Sequence, residues 1–178
     1  MNYKILPFLI FFIILLSCET VNVKDGVLLS AKKSEGFMYL SIATDILDLS
    51  VSLFPQNQTA GNNIFSRACA VFDKLYLGEN FILIRLSSGY YSFKYIYYDN
   101  RIKAFEMEDV VFCIDKDAIN YIGKLYILKG KDEGEILYYY IDDYETAQAF
   151  LNLEYPDLKN TYILKNNTPE TGTARTIR

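Results

Sequence analysis

Between residues 90 and 98 the sequence reads Tyr-Tyr-Ser-Phe-Lys-Tyr-Ile-Tyr-Tyr, with Tyr91, Phe93, Tyr95 and Tyr97 on one side of a two-residue repeat and Ser92, Lys94 and Ile96 on the other. Aromatic and β-branched side chains at that period fit a pleated, half-buried surface, so this stretch predicts a strand. Similar segments recur along the chain. Val27–Ala31 and Phe37–Ile42 are short apolar runs on either side of a turn-like interval ending at Gly36. From Ile46 to Phe54, Leu47, Leu49, Val51 and Leu53 alternate with Asp48, Ser50 and Ser52, and Pro55 ends the run. Residues 56–63, rich in asparagine and glutamine, form a polar loop with no apolar face to bury.

Arg67 to Leu77 fits a helical face through Ala68, Val71, Phe72 and Leu75, but its surroundings favour a strand. Phe81–Leu86 follows, then Tyr90–Tyr98 and a turn at Asp99-Asn100. Val110–Ile114 and Tyr121–Leu128 are continuous apolar runs suited to a sandwich core. Gly130 and Gly134 bound a charged turn, after which Glu135–Ile141 returns as the partner of Tyr121–Leu128. Tyr138, Tyr139 and Tyr140 cannot share one face, so at least one of these rings must point outward. One helix is expected after Asp142, whose spacing to Glu145 makes an Asp-x-x-Glu capping pair. Tyr144, Ala147, Phe150 and Leu151 supply its apolar stripe, and Pro156 stops it. Residues 165–178 are polar and read as a disordered tail. The expected fold class is therefore mostly β: an antiparallel β-sandwich spanning 25–164, with one C-terminal helix near 143–153.

What precedes this domain is an address. Lys4, the apolar run Ile5–Leu16 and the small Ser17 before Cys18 have the order of a secretory signal peptide over 1–17. As a helix the apolar run would reach only about 18 Å, short of the ~30 Å of bilayer hydrocarbon. Leu15-Leu16-Ser17-Cys18 resembles the lipobox of bacterial lipoproteins. That resemblance implies cleavage between Ser17 and Cys18, lipid attachment at Cys18, and a short tether over 18–24. Each buried CH₂ of an acyl chain contributes ~0.8 kcal/mol, so two or three chains hold a protein on a membrane. Glu19, where an aspartate would retain an enteric lipoprotein at the inner membrane, leans toward the outer membrane.

Cleavage would leave 161 of the 178 residues, enough for one domain with a core. The formal charge of −4 becomes −5 without Lys4, which argues against nucleic acid and against electrostatic adhesion to anionic lipid. The chain has no histidine, and so lacks the usual general base of serine and cysteine hydrolases and the commonest metal ligand. It has no P-loop, no Gly-x-Gly-x-x-Gly and no Cys-x-x-Cys, so no cofactor is expected. With Cys18 given to lipid, Cys69 and Cys113 are left either to pair in an exported compartment or to serve as small core hydrophobes.

Ala70–Gly78, Phe81–Leu86 and Ser87-Ser88-Gly89-Tyr90-Tyr91-Ser92-Phe93 together resemble small β-sandwich lipoprotein domains of unknown function. In that pattern a strand, an aspartate-containing turn and a glycine lead into a hairpin whose turn precedes Gly-Tyr or Gly-His. Ser88 stands where proline is frequent. The face of Tyr91, Phe93, Tyr95 and Tyr97 could stack a sugar ring, but such strands usually bury their rings inside a sandwich. Acidic clusters at Glu106, Glu108 and Asp109, at Asp115 and Asp117, at Asp132, Glu133 and Glu135, and at Asp142, Asp143 and Glu145 lie in turns or at strand ends. Solvation accounts for them without a glycosidase dyad or a cation site. The expected function is a membrane-anchored, non-enzymatic binding or structural module of the cell envelope, with an envelope protein or glycan as partner. The alternative is a carbohydrate-active or carbohydrate-binding module using the tyrosine face.

Overall fold

The computed structural model describes residues 34–56, 69–98, 101–169 and 174–177. Ser17, Cys18, the tether, the Val27–Ala31 run, most of the 56–63 loop and the Asp99-Asn100 turn lie outside them. The described residues form two packed sheets with a pair of helices on one outer face. The larger sheet contains β1 (Glu35–Thr44), β4 (Gly78–Ser87), β7 (Ala118–Lys129), β8 (Ile136–Ile141), β9 (Ile163–Asn166) and β10 (Arg175–Ile177). Its order is β10-β8-β7-β1-β4, with β9 also paired to β7. The smaller sheet has the order β3-β2-β5-β6, from β2 (Leu49–Pro55), β3 (Ala70–Leu75), β5 (Gly89–Tyr98) and β6 (Arg101–Ile114).

The expectation of a wholly antiparallel sandwich is corrected in the larger sheet. There β1 runs parallel to β7, and β7 runs parallel to β9. Parallel neighbours need a long crossover. The chain provides the first by building β2 to β6 before returning, and the second by building β8 and both helices. The expected hairpin around Ser88 is also absent: β4 pairs with β1, whereas β5 pairs with β2 and β6 in the other sheet. The expected Tyr121–Leu128/Glu135–Ile141 hairpin is present as β7 and β8.

Between the sheets, Met38, Leu40 and Ile42 of β1, with Ile82, Ile84, Leu125 and Ile127, pack against Leu49, Val51, Leu53, Phe93, Ile96 and Phe112. The outer side of the larger sheet carries a second core, in which Phe37, Tyr39, Leu83, Ile119 and Tyr121 meet Ala147, Leu151 and Leu158 of the helices. β1 is thus buried on both faces, which is why its sequence is a continuous apolar run rather than an alternation.

Helix α1 (Tyr144–Glu154) presents the expected stripe, with Ala147 and Leu151 buried and Tyr144 and Phe150 packed at the margin. Its cap differs. The N-cap is Asp143, whose side chain makes no cap bond, while Asp142 Oδ1 accepts from the Tyr144 N–H at 3.1 Å. Pro156 does end α1, and it also opens a second helix, α2 (Pro156–Thr161), at a position where its missing N–H costs nothing. The tail is not wholly without structure either, since Lys165 and Asn166 lie in β9 and Arg175–Ile177 pair with β8.

Candidate binding surfaces

The tyrosine strand does not present one aromatic face. Against β2 the pairing of β5 slips between Phe93 and Tyr95: Leu53 faces Phe93 and Ser52 faces Tyr95, leaving Lys94 as an extra residue, and at the same point the β6 ladder is interrupted, Val110 facing Phe93 and Glu106 facing Tyr95. Such a bulge moves every later side chain to the opposite face. Tyr91 and Phe93 therefore enter the core, where Phe93 is fully buried, and after Lys94 the inward position passes to Ile96. Tyr95 and Tyr97 are left half-buried on the outside. Their rings lie 6.2 Å apart at 46°, and Phe54 meets Tyr95 edge-on at 78°. Lys94 Nζ reaches over the Tyr95 ring at 5.7 Å and pairs with exposed Glu106 at 3.5 Å. What remains is a small, uneven aromatic cluster beside one carboxylate. Tyr138 and Tyr140 face the core and Tyr139 points outward, where it stacks on Tyr126 at 4.9 Å and 6°.

Cys69 and Cys113 are not bridged to each other. They belong to opposite margins of the four-stranded sheet, beside β3 and on β6. Three strand spacings, about 14 Å, exceed the ~7 Å over which Cα atoms can be bridged. Their pairing is thereby corrected. Cys69 Sγ donates to the Leu53 carbonyl at 3.4 Å. Cys113 Sγ sits 3.9 Å from Asp115 Oδ1, and burial pushes its thiol pKa up, with the Asp115 charge adding to the shift.

Asp115 is held below its ordinary range by Lys165, whose Nζ lies 2.9 Å from Oδ2. Behind it, Asn120 is fully buried. Its amide donates to the Phe37, Asp115 and Ala118 carbonyls and its oxygen accepts from the Asp115 N–H and Asn167 Nδ2. This knot ties β1, the β6–β7 turn and the segment after β9 together, a structural use of polar groups. In the β7–β8 turn, Glu135 Oε2 accepts from the N–H groups of Lys131 and Asp132, so that member of the acidic cluster shapes its own turn. Among the described residues no three acidic or cysteine side chains gather as a metal site.

No protein-family model, no curated protein and no solved structure matches the chain.

Of the exposed apolar residues that sequence patterning did not single out, three lie at the turns joining the two sheets. Leu47, taken as a buried member of the alternation, is 63% exposed. Asp48, at φ 55°, adopts the left-handed conformation and breaks the period, so the buried series starts at Leu49. On the β3–β4 connection Tyr76 is 81% and Leu77 58% exposed. The available signal was Gly78 directly after Leu77, which marks a turn where an apolar pair would otherwise read as strand.

Proposed function

We propose that the protein is a lipid-anchored, non-enzymatic binding or structural module of a bacterial cell envelope, held at the outer membrane through Cys18. The observation that carries this reading is Leu15-Leu16-Ser17-Cys18 directly behind an apolar run too short to span a bilayer. Supporting it is the character of the domain: two rigid cores, tyrosine rings spent largely on packing, and polar groups spent on tying strands and turns together. The carbohydrate reading loses its platform, because two of its four rings face the core and the other two are tilted against each other.

The test is metabolic labelling with a fatty-acid analogue. The wild-type chain takes up label, and Cys18→Ala takes up none and leaves the membrane fraction. Equal labelling of the two would remove the anchor and this reading with it.

A further inference from the structure

The two connections that cross between the sheets run side by side. Thr44 pairs with Gly78 in one sheet and Leu49 with Leu75 in the other, so residues 45–48 and 76–77 bridge the same end of the sandwich, about one strand spacing apart. Leu47, Tyr76 and Leu77 project from this pair of turns as neighbouring, solvent-exposed apolar side chains.

The turns beneath them are firmly built. Asn80 Oδ1 accepts from the Tyr76 N–H, and its amide donates to the carbonyls of Tyr76, Gly78 and Ile42. Across from it, Thr44 Oγ1 accepts from the Ile46 N–H, Asp45 Oδ1 accepts from the Lys129 N–H, and Ile46 is buried as a root. Left-handed backbone at Asp48, Lys74 and Gly78 sets the turn geometry. A loop fixed in this way loses little conformational entropy on binding. The tip is thus a preformed apolar contact rather than a group of residues that failed to find the core.

Its surroundings are acidic. Asp45, Asp48 and Asp73, with Asp132 and Glu133 of the neighbouring β7–β8 turn, are exposed at this end against Lys74, Lys129 and Lys131. At the other end Arg85 pairs with Glu35 and Lys165 with Asp115. That other end is where the chain enters β1 from the Cys18 side, about 30 Å away along a ten-residue strand. The tip lies at the opposite end of β1 from Glu35, and its carboxylates oppose insertion into an anionic bilayer.

We infer that Leu47, Tyr76 and Leu77 form a docking tip for a protein partner whose contact surface is apolar and rimmed by lysine or arginine. The inference deepens the proposed function and rests on it for the envelope setting of the partner. Apolar anchors inside a charged rim are the ordinary anatomy of a protein interface, the anchors giving affinity and the rim selecting partner and on-rate.

The chain has no tryptophan, so Tyr76→Trp in the mature protein supplies a single fluorescent reporter at the tip. The probes are a synthetic peptide alternating leucine with lysine, the same peptide with glutamate for lysine, and vesicles of phosphatidylcholine with and without phosphatidylglycerol. The expected result is a blue shift on titrating the lysine peptide, with binding at least about ten-fold tighter than that of the glutamate peptide. That binding should be lost when Leu47→Ser and Leu77→Ser are combined. It should weaken with Asp48→Asn, a residue tolerant of the left-handed backbone there, and persist in Leu153→Ser, an exposed leucine on α1. Equal binding of both peptides, binding of neither, or equal loss in Leu153→Ser would overturn the inference. A shift produced by vesicles would replace it with a lipid contact. None of these readouts involves Cys18, so failure here leaves the labelling result standing, and the reverse holds.

Discussion

Tyr140 is deeply buried between the sheets, and its hydroxyl is the buried side-chain oxygen without a hydrogen-bond partner among the described residues. An unpartnered buried hydroxyl forfeits its hydration and receives nothing in return, at a cost of about 1–3 kcal/mol. Tyr140→Phe keeps the ring and removes the cost. It should raise stability by about 1 kcal/mol, seen as a higher urea midpoint with an unchanged slope. A lower midpoint would mean that the hydroxyl is satisfied. That the three consecutive tyrosines cannot share one face follows from strand alternation alone, so an outward ring was legible at this scale. That Tyr139 takes that position, and that Asn120 is fully buried with every polar atom used, was not: both depend on partners distant in sequence, such as Phe37 and Asn167.

At the scale of elements, the existence of strands was legible wherever apolar residues formed compact runs, and β1, β5, β7 and β8 lie where the pattern puts them. Facing was lost wherever a single residue resets the parity. Lys94 does this in β5, and Gly123, at φ 96°, does it in β7, where Tyr39 faces Tyr121 but Ser41 faces Lys124. No local pattern announces such a bulge, because the extra residue is defined only by the neighbouring strand. Parallel pairing, β10 and the second helix were hidden for a related reason: they are short or are specified by distant contacts.

Inserting one alanine between Tyr95 and Ile96 makes the point testable. The insertion would take the inward position, driving Ile96 outward and Tyr97 inward and exchanging a fitted core residue for a tyrosine. It should cost several kcal/mol, of the order of large core substitutions, and abolish the cooperative thermal transition or lower it steeply. Lys94→Ala, which keeps the residue count, should change stability by less than about 1 kcal/mol, because it loses only an exposed ion pair and a cation–ring contact. Equal effects of the two changes would contradict the parity account.

The whole molecule holds several tyrosines neutral. Burial pushes Tyr121 up to about 12, and burial likewise raises Tyr39 and Tyr140 from the ordinary value of 10.0. An acid whose folded pKa lies above its unfolded one binds more protons in the folded state, so its contribution is complete below about pH 10 and is lost as pH rises further. Stability followed by denaturant midpoint should therefore fall between pH 10 and 12, and fall less steeply in Tyr140→Phe. A flat profile there would mean that these hydroxyls titrate as if exposed.

The proposed anchor lies in a stretch whose reading comes from sequence order alone, and it would decide where the domain is displayed. The most direct measurement is the intact mass of the protein extracted from membranes of its native cells. The account predicts a chain lacking residues 1–17 and carrying two or three acyl chains, with the added mass assigned to Cys18 by fragmentation. A chain that retains its first residues, or one cut elsewhere with an unmodified Cys18, would contradict it.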